Sequence, residues 1–524
     1  MVIFVKSISE LILFCYDDIK REKIIKSGGI GMKKSKGLIF GIIAALLLLV
    51  GGGGAAAYFF LTNTPKNAYL LSEQESLKSF QDYYNNRFEN EIKFQEKMKD
   101  DNYAVNLKLG ADIPESLVSQ LGVQKSVIDS SNIVFDMAHD NKKKLSNLSI
   151  TPTIADNKLG EFAWQADEEN QYLSAPVLND VLSIPNDKIV ETIEKISGSS
   201  TSSEGMTNEA LNLNSILGNA QVSQDDVNKI IERYSKTIAD NLKDEQFKKD
   251  KEKVNIFDEE KDLEKLTMTL KPKEVKQLTI KVLEQVKEDK ELKELITKQA
   301  KDADFDKELD KALKEVKDEK ESEFPKVVST IYVDGKNILK RNLVMSSDKE
   351  EVKLDALTKI DDNLKIDVKG SSKDAPDAFA IVGESTKKDS NYKDDYKIKF
   401  NDVTEKEISF VNDSKTDGDK RTDKGTLDLS QLAGQELKLD YTNDMVTDVG
   451  NNEQKQKAEF SMNVQNEPIK FAIDAVTKLK QDVKVKSEGA KDLSTMSDTD
   501  LQKLQQEITE NASKVFEDVA KDLK

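Results

Sequence analysis

Residues 104–110 read AVNLKLG. Val105, Leu107 and Leu109 alternate there with Asn106 and Lys108, a period of two that sets apolar side chains on one face of a strand and polar ones on the other. The same alternation returns at Ile133, Phe135 and Met137, and again at Phe162, Trp164 and Ala166. From Val327 onward it dominates. Ile331 and Val333 lead to a turn at Asp334-Gly335, and Leu364/Ile366/Val368, Tyr396/Ile398/Phe400, Leu437/Leu439/Tyr441 and Phe460/Met462/Val464 follow. One apolar and one polar face per strand predicts antiparallel sheet.

Between these runs the period lengthens to that of a helix. Leu77, Phe80, Tyr84, Phe88, Ile92 and Met98 predict a helix over about Ser72–Lys99, with Ser72 and Glu75 as a capping box. Helical texture fills Asn186–Leu313, broken by the Ser/Gly-rich loop Ser197–Asn208 and by a strand-like piece at Leu266–Leu270. Pro272 suits a first helical position. A last helix, about Asp498–Leu523, carries Leu501, Leu504, Ile508, Val515, Phe516 and Val519.

The N-terminal region sets the expected topology. Gly37–Leu61 holds no charged residue and follows Lys33, Lys34 and Lys36. About 20 apolar residues cross a bilayer, and lysines on the leading flank keep that end in the cytoplasm. The expectation is a single-pass transmembrane helix over 37–61 with the bulk of the chain extracytoplasmic. The alternative is a signal peptide cleaved after Ala57. Residues 1–31 read as a leader ahead of a start at Met32, or as a short cytoplasmic segment. The expected fold class is α+β: an N-terminal transmembrane helix, then curved antiparallel sheet or sheets packed against amphipathic helices. Beyond the anchor the texture divides into 68–180 (helix and strands), 181–325 (mainly helical) and 326–524 (strand-rich with a terminal helix).

The chain has 524 residues, a net charge of −18 and 34% charged residues. A surface that acidic disfavours nucleic acid, whose phosphates reward Lys and Arg. Cys15 is the sole cysteine, so no disulfide within one chain can form. Export, a lysine-rich composition and a short basic leader together suggest a Gram-positive cell envelope.

Catalytic residue types are scarce. His139 is the only histidine, so no zinc site with two His can form, and its place after Ile133, Phe135 and Met137 reads as a strand end. No nucleophile elbow and no phosphate-binding loop stands out. Asp413–Asp423 hints at a calcium loop, but Lys415 and Lys424 stand where an EF-hand needs oxygen ligands; a polar hairpin loop fits better. Neither cofactor nor metal is called for. A carboxylate-based hydrolase stays as a minor alternative, with one Trp as poor material for sugar platforms.

The remaining candidates are the apolar faces of the strands. Phe135, Phe162, Trp164, Phe400, Phe460 and Met462 read either as sheet–helix core or as the lining of an apolar cleft for a hydrophobic ligand.

Three stretches carry a resemblance: MKKSKGLIFGIIAALLLLVGGGGAAAYFFL (32–61) with Pro65 after it, LEKLTMTLKPKEVKQLTIKVLEQVKED (263–289) and LQKLQQEITENASKVFEDVAKDL (501–523). In these the chain resembles single-pass membrane proteins of Bacillus type that have no assigned function. More distantly it is similar to the lipoprotein-carrier half-barrels, which implies a curved antiparallel sheet holding an acyl chain. It departs from them in lacking a lipobox Cys and in having more strands and longer helices. The expected function is a membrane-anchored, non-enzymatic protein that binds a hydrophobic or lipidic envelope component. The runner-up is a structural or regulatory ectodomain that binds another envelope protein.

Overall fold

The computed structural model describes residues 64–522, apart from 121, 199–206, 220–223, 294–304, 349, 402–404 and 465–466. The described residues include 21 strands, which pair almost wholly antiparallel. The described residues fall into two compact units, each discontinuous in sequence. The first draws on Met1–Phe88, Ser223–Val411 and Asp428–Glu436, the second on Glu89–Val222, Asn412–Leu427 and Leu437–Lys524. Each unit takes residues from all three segments 68–180, 181–325 and 326–524.

In the first unit eight strands follow one another across the sheet: Phe247–Ile256, Glu259–Leu270, Lys326–Asp334, Asn337–Ser346, Glu351–Ile360, Leu364–Ser372, Phe379–Lys388 and Asn391–Asn401. Each is antiparallel to the next. The helices Pro272–Glu288 and Phe305–Asp318 lie between the second and third strands. Their Val275, Leu278, Val282, Leu309 and Leu313 form one buried core with Leu266, Met268, Val327 and Ile331 of the sheet.

The Pro65–Arg87 helix lies on the same face. It starts at Thr64, whose side chain accepts from Asn67 N at 3.2 Å, with Pro65 in the first turn. Tyr69 and Leu70 enter the core, and polar anchors fix the helix further. The Tyr69 hydroxyl donates to Ser329 Oγ at 2.7 Å, and burial, then Glu73, pushes that phenol well above its ordinary pKa. Arg341 donates to both oxygens of Glu73, and Arg87 to both of Asp394, at 2.8 and 2.6 Å. Between these ion pairs and near Arg87, Phe80 and Tyr83 pack on Leu364, Tyr392 and Ile366.

The second unit is built the same way from strands far apart in sequence. Across the sheet run Lys438–Asp448, Glu453–Val464, Glu467–Leu479, Tyr103–Asp112, Asn132–Asp140, Leu145–Ile154, Phe162–Ala166, Asn170–Ser174 and Leu182–Pro185, all antiparallel. A short strand, Lys491–Asp492, adds in parallel beside Leu182–Pro185.

Two expectations are corrected. The first is the α+β class with helices closing a curved sheet. Sheet dominates instead, in long meanders many of whose strands are only half-buried. The helical segments are too few to cover it, because each strand already buries its backbone polar groups in the ladder and needs a partner on one face only. The second correction concerns the single-pass membrane helix and the cell-membrane, N-terminus-in localisation drawn from it. Among the described residues no helix is long and apolar enough to cross a membrane. The longest ones, Pro65–Arg87 and Asp498–Asp522, carry charged residues along their length, and charge is what excludes a helix from the bilayer core. The segment 37–61, with Lys33, Lys34 and Lys36, lies outside the described residues.

Candidate functional site

Residues directly opposite in an antiparallel pair share a face, so the registers of the second unit can be read as rows. Ala475, Leu107, Phe135, Ile150 and Phe162 form one row across five strands. Thr477, Val105, Met137, Leu148 and Trp164 form the next. Phe460 stands opposite both Tyr441 and Phe471, and Met462 opposite Leu439 and Ile469. Alternation by two then places all of these on one apolar face. The reverse face is polar: Asn106 donates to Asp136 at 2.6 Å, Gln165 to Asn147 at 2.7 Å, and Lys457 faces Asp474 at 3.7 Å.

Five of the six candidate cleft residues, Phe135, Phe162, Trp164, Phe460 and Met462, therefore belong to this one face, where each is half-buried. Phe400 does not: it lies in the first unit, opposite Phe379 and 41% exposed. Phe471 and Ile473, on the strand Glu467–Leu479, went unrecognised in the sequence, although the alternation Ile469/Phe471/Ile473 was there to find.

Two short helices cover one end of the face, over the rows of Tyr103 and Val105. Phe94 and Met98, on the helix Glu89–Asp100, pack on Tyr103, Val105 and Leu479. Leu213 and Leu217, on the helix Leu213–Asn219, pack on Ala166, Leu148 and Trp164. The opposite end is left open: Ile133, opposite Leu109, is 41% and Phe471, opposite Ala111, 47% exposed.

His139 fixes the second cover. Asn214 Nδ2 donates to the carbonyls of Lys144 and Asp167, both at 2.8 Å, so its Oδ1 accepts from Ser146 Oγ at 2.5 Å. With that proton committed, Ser146 Oγ accepts from His139 Nδ1, 2.8 Å away. Nε2 lies 3.0 Å from Asn141 Oδ1, and Gly218 approaches so closely that a Cβ there would stand 3.1 Å from Nε2. Burial lowers the His139 pKa from its usual value; Asn141 and Asp140 oppose the shift and Lys144 adds to it. Burial also pushes the Tyr103 phenol, whose ring packs against His139, up to about 12. Ser146 and His139 have the spacing of a nucleophile and its base, but both are buried, at 0% and 2% exposure, and the serine proton points elsewhere. Their geometry serves packing. Among the described residues no group of three or more His, Cys, Asp or Glu is placed to hold a metal. Asp413–Asp423 spans the end of the strand Glu405–Asp417, a turn at Gly418-Asp419 and the start of Lys420–Asp428.

No family model matches the chain, and no curated protein does. Among solved structures it is similar to a loop L8 deletion mutant of OmpT, an outer membrane protein of Vibrio cholerae (6% identity over 72% of this chain and 98% of that one, TM-score 0.18). It is similar also to a porin (7% identity over 72% and 99%, TM-score 0.18). Superposition that poor transfers neither fold nor function.

Proposed function

We propose that this chain is a non-catalytic binding protein whose second unit receives an apolar surface of another protein on the open sheet face. The observation that carries the reading is the exposure of Ile133 and Phe471 within a continuous apolar band backed by a polar reverse face. Contiguous apolar patches of any size are uncommon on monomers and mark interaction sites. A shallow face suits a protein better than it suits a lipid, which calls for an enclosed cavity burying most of the ligand; Phe135, Phe162 and Trp164 lie half-buried on the sheet instead.

Photo-crosslinking in the native cell tests it. A photoreactive residue at 133 or 471 is expected to give one discrete protein adduct, and the same residue at 108 or 457, on the reverse face, none. Equal labelling from both faces, or no adduct from either, would sink the proposal.

A further inference from the structure

A cavity of about 560 Å³ opens in the first unit between the Pro65–Arg87 helix and the turns of three hairpins, within the size range of small-molecule sites. Leu77 and Phe80 of the helix and Ile338 and Ile360 of the strands supply apolar lining.

Two further lining features are costly to the protein without a ligand. Phe257 has a φ of +47° and Asp258 one of +72°. A two-residue hairpin turn needs such left-handed positions, and Gly or Asn fills them most readily. Here an aromatic takes the first of them, half-buried, with the Lys365 ammonium 4.9 Å from its ring centroid. Strained positions of this kind gather at ligand clamps. The second feature is charge. Lys359 and Lys365 stand directly opposite on paired strands, where like charges repel. Lys365 is only 3.8 Å from Glu384, and Lys359 makes no ion pair among the described residues. The acidic groups lining the same space are mostly engaged. Glu73 binds Arg341, Glu259 lies 3.4 Å from Lys261, and Asp361 accepts from Asn363; Asp334 sits at a neighbouring hairpin turn.

We infer that this cavity binds a small amphipathic anion, its acidic head between Lys359 and Lys365 and its apolar body on the same sheet face, against Phe257 and Leu339. An anion there relieves the cross-strand repulsion, and the ring covers the junction of head and body. The site is separate from the sheet face of the second unit and does not rest on it.

Titration calorimetry of the full chain tests the inference. Dodecyl phosphate and laurate, both below their micelle concentrations, are compared with dodecyltrimethylammonium, a cation of equal chain length. Saturable one-to-one binding of an anion is expected, with at least tenfold weaker binding of the cation. The stronger of the two anions tells a phosphoryl head from a carboxylate. Lys359→Glu combined with Lys365→Glu should weaken the anion at least tenfold. Phe257→Gly should weaken it severalfold, glycine keeping the left-handed turn while removing the ring. Equal affinity for the cation, no saturable heat with any of the three, or anion binding indifferent to the lysine reversals would overturn the inference.

Discussion

The two units use the same strand grammar and finish their sheets differently. In the first, a 23-residue helix crosses the apolar face and is fastened by the Glu73–Arg341 and Arg87–Asp394 ion pairs. In the second, short helices cover only one end of the face, and aromatic side chains stay half-bare beyond them. A period-two pattern specifies that a face is apolar; it does not specify what covers it. Where a helix is available the face becomes core, and where none is, it becomes a surface waiting for something else.

The contrast is broken most severely at the clasp. Asp394 is 4% and Arg87 9% exposed in their side chains. Asp394→Ala leaves the guanidinium buried and unpaired and is expected to cost about 3–5 kcal/mol. Urea denaturation followed by far-UV circular dichroism reads this out. The exposed Lys236–Asp240 pair is the control, and Asp240→Ala should cost under about 0.5 kcal/mol.

Next comes the cover of the second unit. Leu213 is fully buried against Trp164 and its neighbours. Leu213→Ala should cost about 2–5 kcal/mol and shift the emission of Trp164 to longer wavelength, that residue being the chain's sole Trp. An unmoved spectrum would mean the cover is not seated as described.

A smaller effect follows from His139. Its folded pKa lies below the unfolded value near 6.5, so the unfolded chain takes up the proton first. The stability gained from holding the ring neutral is present above about pH 6.5 and is lost as pH falls toward the depressed folded pKa. The slope from one proton cannot exceed about 1.4 kcal/mol per pH unit. Asp140 and Lys144, with Asn141, Ser146 and Tyr103, surround the ring. Denaturation midpoints measured by Trp164 fluorescence from pH 5 to 8 should show that slope, and His139→Gln should flatten it.

The least effect is expected on the bare face itself. Ile133→Ser and Phe471→Ser should each change stability by under about 0.5 kcal/mol. Tyr83→Ser, at the covered face of the first unit, removes an aromatic that is 8% exposed and should cost several times more. Parity between the bare and covered positions would erase the distinction between the units.

How far the sequence carried this picture depends on where each strand stands. Val105/Leu107/Leu109 lies within the strand Tyr103–Asp112, because one buried and one wet face leave a visible alternation. The strand Phe247–Ile256 was absorbed into helical texture. Seven of its ten residues are exposed whichever way they point, so no period survives. The helix read from Ser72 starts at Thr64 instead: the Ser72 hydroxyl bonds back to Ala68 O at 2.9 Å, while the Thr64-Pro65 pair makes the real beginning. Phe135, Phe162, Trp164, Phe460 and Met462 could be recognised as apolar strand residues. Their common face could not, because it depends on register between segments more than 300 residues apart, and Phe400 looked no different from them. The charge pairing that seats the Pro65–Arg87 helix left no local trace either, since Glu73 and Arg341 meet only once the sheet exists.

The strand Phe247–Ile256 has one further consequence. Among the described residues its only partner is Glu259–Leu270, and Lys248, Lys249, Lys251 and Lys253 are exposed along it. A chain this rich in pairing backbone is a natural seed for fibres, each molecule offering its rim to the next. Charged side chains crowded on that rim, Asp250 and Glu252 among them, put solvated groups in the way of an incoming strand's hydrogen bonds, which disfavours edge-to-edge addition.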